Sequence, residues 1–195
     1  IMAISGEIKS AIFVKGSPTI QGVFDDGLPH IAFIGRSNVG KSSTINALTK
    51  QKGLAKTSGA PGATKHINLF LVNNKFHIVD LPGYGFVKGS AGKRDVLHDV
   101  IESYLSYRYE GEQTIVLIID GKVGPTQDDL DILTMLEEHG KKIVVAVNKI
   151  DRLKNTELKT QLTKIQSIVG GHMVVPYSAE KKTGIGVLWV AATKD

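Results

Sequence analysis

The stretch IAFIGRSNVGKSS, residues 31–43, decides the fold. Four apolar residues, Ile31 to Ile34, run straight into a loop that opens at Gly35 and closes with Lys41 and Ser42. The segment GRSNVGKS (35–42) satisfies G-x-x-x-x-G-K-[ST], and it stands between an apolar run and the helical stretch STINALTK (43–50). Gly35 and Gly40 let the backbone of Arg36, Ser37, Asn38 and Val39 wrap so that successive N–H groups and a helix N-terminus face phosphate oxygens. Lys41 supplies a point charge for the β and γ phosphates. The Ser42 hydroxyl, next to Ser43, suits a Mg²⁺ shell completed by waters and phosphate oxygens. A glycine turn also arises before a helix by chance, so the surroundings have to decide.

Outward from this loop, further apolar, β-branched runs recur at INLFLV (67–72), FHIV (76–79), IVLIID (115–120), IVVAVN (143–148) and MVVPYS (173–178). Runs of this length fit strands covered on both faces. Helical stripes separate most of them: Leu97, Val100, Ile101, Tyr104 and Leu105, then Leu130, Leu133 and Leu136, then Leu158, Leu162, Ile165 and Val169. Thr126 with Asp129 resembles a capping box, and Gly140 past His139 a helix stop. Alternating strands and helices predict a parallel sheet built by right-handed crossovers. Asn73-Asn74 leaves no room for a crossover, so 67–72 and 76–79 must pair as an antiparallel hairpin. The expectation is an α/β fold whose six-stranded, mostly parallel sheet has one antiparallel edge strand, order 2-3-1-4-5-6, and helices on both faces. Residues 30–195 then form one ligand-binding domain and 1–29 an N-terminal extension packed on it. Within the extension, AIFVK (11–15) is a candidate further strand and DDGLP (25–29) a turn.

Ligands of such sheets bind at the carboxyl ends of the strands. There, IVDLPG (78–83) ends a buried strand in a carboxylate, which is costly unless it has a partner. Mg²⁺ held through a water is the natural partner for Asp80. After Leu81 and Pro82, the Gly83 N–H is placed to meet a γ-phosphate and so to sense its presence. Asp-x-x-Gly alone is an ordinary turn; its position one hairpin after the phosphate loop gives it weight. VNKID (147–151) selects a base. Asp151 can accept from the N1–H and 2-amino edge of guanine, Asn148 serves the N7/O6 side and the Lys149 stem covers the ring. Adenine leaves that carboxylate unpaired, at a cost of about 1–3 kcal/mol or more. YSAEKKTG (177–184) adds Tyr177, Ser178 and Ala179, whose N–H is placed for guanine O6.

The chain has 195 residues, enough for one substantial core, and a formal charge of +5 with pI near 9.3, compatible with a polyanionic partner. It has no cysteine, which excludes disulfides and thiolate chemistry. No apolar run approaches the ~20 residues of a membrane span and no signal-peptide pattern is present, so a cytoplasmic setting with no membrane partner is expected. Ile1 precedes Met2 and is left out of the reading. The six histidines, at 30, 66, 77, 98, 139 and 172, lack metal-ligand spacing. Without a heptad seam, a monomer is expected.

Taken in order, GRSNVGKS, GAT (62–64), DLPG (80–83), NKID (148–151) and SA (178–179) resemble the five guanine-nucleotide loops of translation-factor-class P-loop GTPases. GRSNVGKSSTINAL (35–48), KTSGAPGATKHINLF (56–70) and VDLPGYGFVK (79–88) resemble the EngB (YihA/YsxC) family of ribosome-biogenesis GTPases more closely than Ras, Era or the signal-recognition GTPases. The resemblance implies a three-layer G domain that binds GTP/GDP and assists late assembly of the large ribosomal subunit, a process tied to cell division. It implies that Gly62 and Ala63 lead to Thr64, a Mg²⁺ ligand and γ-phosphate contact. It also implies that Lys41, Asn38, Thr64 and Gly83 carry the catalytic contribution, with Ser42, Thr64 and Asp80 around the metal. Two departures matter. Ras-like proteins place a water-orienting Gln where this chain has Tyr84, which implies slow intrinsic hydrolysis aided by a partner or an ion. Asn38 stands where potassium-activated relatives hold K⁺, an ion able to replace an arginine finger; an Asx-type loop contact is the alternative role.

Lys50, Lys52, Lys56 and Lys65 fall in a segment without acidic residues, and Lys88, Lys93 and Arg94 follow the DLPG loop. The large ribosomal subunit or its rRNA is the expected partner for that charge, and DNA is not. Solvated lysines are the plainer reading. Two other functions stay open: a GTP-dependent RNA- or protein-binding module with negligible hydrolysis, and a P-loop ATPase or kinase in which NKID is a mere turn.

Overall fold

The computed structural model describes residues 6–20, 26–56, 66–85 and 91–194, and for 91–96 the backbone alone. Along the chain run β1 (Ala11–Ser17), β2 (His30–Gly35), α1 (Lys41–Thr49), β3 (Ile67–Val72), β4 (Phe76–Asp80), α2 (Ala91–Ser106), β5 (Gln113–Asp120), α3 (Gln127–Glu138), β6 (Lys142–Asn148), α4 (Asn155–Val169), β7 (Met173–Pro176) and α5 (Ile185–Thr193). The strands form one sheet in the order β1-β3-β4-β2-β5-β6-β7. Apart from β1, this is the expected order.

One expectation is corrected: the sheet has seven strands rather than six, because β1 adds at the edge, antiparallel to β3. β3 pairs antiparallel with β4 on one side and with β1 on the other, while all remaining pairs are parallel. β1 escaped a firm reading because its pattern is mixed. Ala11 is buried, Ile12 and Phe13 are both exposed, and the register shifts between Phe13 and Lys15. A bulge of this kind breaks the period-2 signal that sequence reading depends on. What docks β1 lies elsewhere: the Asn73 side chain accepts the N–H groups of Lys9 (2.8 Å) and Ser10 (3.0 Å) and donates to Glu7 O (3.0 Å).

Asn73 also turns the β3–β4 hairpin. Asn73 and Asn74 both have φ of 52°, and Lys75 N–H donates to Val72 O at 3.0 Å, so the turn takes in Lys75 as well. Two successive left-handed residues make the turn whose twist matches antiparallel strands, and Asn tolerates that conformation better than other side chains.

The continuous apolar runs divide by parity. Ile31 and Phe33 of β2, with Val116 and Ile118 of β5, face a core shared with α1 and α5. Ala32 and Ile34, with Ile115, Leu117 and Ile119, face Ile101 and Tyr104 of α2, Ile132 and Leu136 of α3 and Ile165 of α4. Each such buried Ile or Leu contributes about 1.5–3 kcal/mol, so both faces hold the sheet in register. α3 opens as expected: Asp129 Oδ2 accepts from the N–H (2.8 Å) and Oγ1 (2.7 Å) of Thr126. α5 was not anticipated, because IGVLWVAAT is apolar almost throughout and shows no stripe. It buries Leu188, Ala191 and Ala192 while Val187 and Val190 stay exposed.

Candidate nucleotide-binding site

The parallel strands deliver their carboxyl-end loops to one edge of the sheet, where the fold places ligands. The loop after β2 is shaped by close approach. At Gly35 a Cβ would come within 2.7 Å of Ile118 O, and at Gly40, with φ of 106°, within 2.3 Å of Asn148 Nδ2. Asn38 is left-handed too, φ 64°. Ser37 N–H donates to Tyr84 O (2.9 Å) and Val39 N–H to Arg36 O (3.1 Å), which fixes the loop against the segment after β4. Gly40, Lys41 and Ser42 head α1, where helical geometry leaves N–H groups without an intrahelical acceptor.

Lys41 is buried, 8% exposed, with Nζ 4.0 Å from Asp80 Oδ1. Gly83 is wedged beside it: a Cβ there would lie 3.1 Å from Lys41 Nζ and 3.3 Å from Ser37 Cα. Asp80 is 2% exposed and its Oδ1 has no hydrogen-bond partner. Burial pushes its carboxyl above the ordinary value, while Lys41 and a hydrogen bond from Asn68 oppose that rise. A buried carboxylate oxygen that lacks a hydrogen bond, at the end of β4 beside the phosphate-type loop, fits a hard divalent cation. Ser42 is half-buried on the first turn of α1. Leu81 and Pro82 are buried, and Leu81 N–H donates to Phe33 O at 3.0 Å. Gly62, Ala63 and Thr64 lie outside the described residues, as do Lys65 and Lys88.

The other loops converge on Asn148, 2% exposed. Its Nδ2 donates to Val39 O (2.9 Å), and its Oδ1 accepts from Lys149 N–H (2.8 Å) and Ala179 N–H (3.0 Å). One amide thus fastens three loops together, and the Ala179 N–H expected to serve a base is held by it. Lys149, left-handed with φ 65°, donates through Nζ to Asn38 O and to Asp120 Oδ2, both at 2.8 Å. Asp151 lies exposed in a short 3-10 turn, Ile150–Arg152, with its Oδ1 held by the Ser178 hydroxyl. Tyr177 is fully buried and bonds Thr44 Oγ1 through its hydroxyl at 2.8 Å, joining the last loop to α1.

Sequence reasoning missed Asp120, Thr44 and Asn68. Burial alone would raise the Asp120 carboxyl, but Lys149 and the N–H groups of Val123 and Lys122 outweigh it and hold the group below its ordinary value. Its signal was available: IVLIID ends a buried strand in Asp as IVD does at Asp80. Thr44 and Asn68 carry no local signal, because their partners are 133 residues away in one case and on the neighbouring strand in the other.

A family model described as "50S ribosome-binding GTPase" matches residues 30–149. A probable GTP-binding protein EngB of Alkaliphilus oremlandii (strain OhILAs) is 38% identical over 190 residues, covering 95% of this chain and 88% of that protein. The chain belongs to the EngB family of GTP-binding proteins. A probable GTP-binding protein EngB of Clostridium botulinum (strain Alaska E43 / Type E3) is 48% identical over 134 residues, 69% of this chain and 67% of that one. The crystal structure of a probable GTP-binding protein engB superposes with a TM-score of 0.65 at 29% identity, covering 83% of this chain and 95% of that one. The family resemblance and the P-loop GTPase fold are therefore as expected from the motifs. Among the described residues no helix is long and apolar enough to cross a membrane.

The side chain that follows Gly83 is anchored away from solvent. Tyr84, 1% exposed, points its hydroxyl at Asp129 Oδ1 (2.7 Å) on α3.

Proposed function

We propose that this EngB-family chain is a slow GTPase, a nucleotide-dependent switch in assembly of the large ribosomal subunit, acting in the cytoplasm as a monomer. Residues 30–195 are its G domain and 1–29 its extension. The observation that carries the reading is the convergence on Asn148: it fastens the phosphate loop, the Lys149–Asp151 turn and the Ala179 loop, and leaves the Asp151 carboxylate exposed beside them. Asp151 and Asn148 read the guanine edge, with Lys149, Tyr177, Ser178 and Ala179 closing round the base. Gly35 to Ser43 and Lys41 grip the phosphates. Gly83 N–H and Thr64, following Gly62 and Ala63, meet the γ-phosphate. Ser42, Asp80 and Thr64 are the donors for Mg²⁺, which when bound offsets phosphate charge. With the Tyr84 phenol packed on α3, hydrolysis has no side chain from that position, and K⁺ beside Asn38 is the proposed substitute.

The family description supports a ribosomal partner, and exposed Lys52 and Lys56 support an anionic surface near the first switch. Lys50 contributes less, because its ammonium pairs with Glu7. Co-sedimentation with large ribosomal subunits, with GDP or a non-hydrolysable GTP analogue at several salt concentrations, tests this: binding that ignores both nucleotide and salt refutes the switch. Single-turnover hydrolysis in K⁺ and in Na⁺ at equal ionic strength tests the catalytic part. The buried Tyr84 side chain favours a second reading, a GTP-dependent binding module with negligible hydrolysis, and the same measurement separates the two.

A further inference from the structure

Tyr84 follows Gly83 directly, and both its backbone and its side chain are anchored. Its carbonyl accepts Ser37 N–H at 2.9 Å, and it forms a parallel bridge with Arg36 of the phosphate loop. Its hydroxyl donates to Asp129 Oδ1 at 2.7 Å. Asp129 is 2% exposed, and its other oxygen takes the N–H and hydroxyl of Thr126. One buried carboxylate therefore collects three hydrogen bonds, two from Thr126 at the N-cap of α3 and one from the segment after β4. Burial, and next the Asp129 charge, push the Tyr84 phenol well above its ordinary range, so it stays a donor. The adjoining Gly85 is hemmed in: with φ of 81°, a Cβ there would meet Asp128 Oδ2 at 2.8 Å and Arg36 Nε at 3.3 Å.

We propose that Tyr84 is a positioning residue, whose bond to Asp129 clamps the Gly83–Gly85 backbone between the phosphate loop and α3 and so holds the Gly83 N–H ready for a terminal phosphate. The inference rests on the guanine-nucleotide reading above and adds to it the device that orders the γ-phosphate donor before nucleotide arrives. A peptide N–H on a free loop must be ordered on binding; one fixed on both sides is not, and the affinity it confers is spent on the γ-phosphate alone. GDP, lacking that phosphate, gains nothing from the clamp.

The test is Tyr84→Phe, which keeps the ring and removes the bond. Affinities for GDP and for a non-hydrolysable GTP analogue are measured by displacement of a fluorescent guanine nucleotide. GDP affinity is expected to stay within about twofold, while affinity for the analogue falls about tenfold, as for loss of one well-ordered hydrogen bond to a charged group. An equal loss for both nucleotides, or none for either, overturns the proposal and leaves Tyr84 a packing residue. A wild-type measurement stands if the variant does not fold: amide hydrogen exchange at Ser37, whose N–H is held by Tyr84 O, should be slow already in the GDP state. Fast exchange there without a γ-phosphate also overturns it. If wild type binds neither GDP nor GTP, the nucleotide reading itself has failed; failure of the clamp alone leaves wild-type binding of both intact.

Discussion

Asn148→Ala separates a residue that only touches a base from one that holds the site together. The amide makes three hydrogen bonds inside the protein, to Val39 O, Lys149 N–H and Ala179 N–H. Truncation orphans all three partners. Lys149 is half-buried and water can reach it, but Val39 and Ala179 are 4% and 8% exposed. Two buried orphans at about 1–3 kcal/mol each imply a loss of about 2–6 kcal/mol, and about 3 kcal/mol is expected. Against a typical total of about 5–15 kcal/mol the variant should still fold. The assay is urea denaturation without nucleotide, read as a lower midpoint at unchanged slope. Asp151→Ala is the control: the residue is exposed and should cost under about 1 kcal/mol without nucleotide, while guanine-nucleotide binding is lost in both variants. An Asn148→Ala midpoint equal to wild type would refute the reasoning, because the amide would then matter only to the ligand.

Gly40→Ala faces a left-handed φ of 106° and a Cβ 2.3 Å from the same amide, so it should lose about 2–4 kcal/mol and most phosphate affinity; normal stability by urea denaturation would contradict this. Asp151→Asn should exchange guanine for a base with a carbonyl in place of the 2-amino group, so a competition assay should show xanthine nucleotides overtaking GTP. Stability should also fall in acid because of His30. Its ring is 2% exposed, bonded to the Tyr104 hydroxyl (3.1 Å), stacked on Tyr109 (4.0 Å) and edge-on to His77, which pairs with Asp26. Burial, then the neighbouring His77, lowers its pKa from 6.5 to about 3. The unfolded chain takes up a proton below pH 6.5 that the native ring refuses. This stability is therefore full above pH 6.5 and is lost progressively toward pH 3, amounting to about 2 kcal/mol by pH 5. Urea midpoints for wild type and His30→Gln at pH 7.5 and pH 5 check this, and equal pH slopes would count against it.

The inner sheet was legible because its strands are buried on both sides: Ile31–Ile34 and Ile115–Ile119 have no polar face to confuse the pattern. The phosphate loop was legible because its glycines answer to backbone geometry that local sequence records. Bonds that cross the chain were not. Asn148 was assigned to a base, yet its fixed partners are Val39 and Ala179, and no local pattern announces a side chain whose acceptor lies 109 residues away. Tyr84 was read for what it lacks rather than for its bond to Asp129, 45 residues on. α5 and β1 went unread or half-read for opposite reasons, one too uniformly apolar to show a period and the other broken by a bulge.

The register across β1, β3 and β4 aligns Gly16 with Asn68 and Asn68 with Asp80. Gly16 is exposed at the rim of the molecule, yet a Cβ there would press to 2.9 Å on Asn68 Oδ1, and Asn68 in turn supports the charged form of Asp80. A methyl group added on the outermost strand would thus be felt two strands inward, through Asn68, at the Asp80 carboxyl. Position 16 thereby reaches Asp80 through the Asn68 side chain, and the leading strand is coupled sideways to the crevice rather than serving as trim.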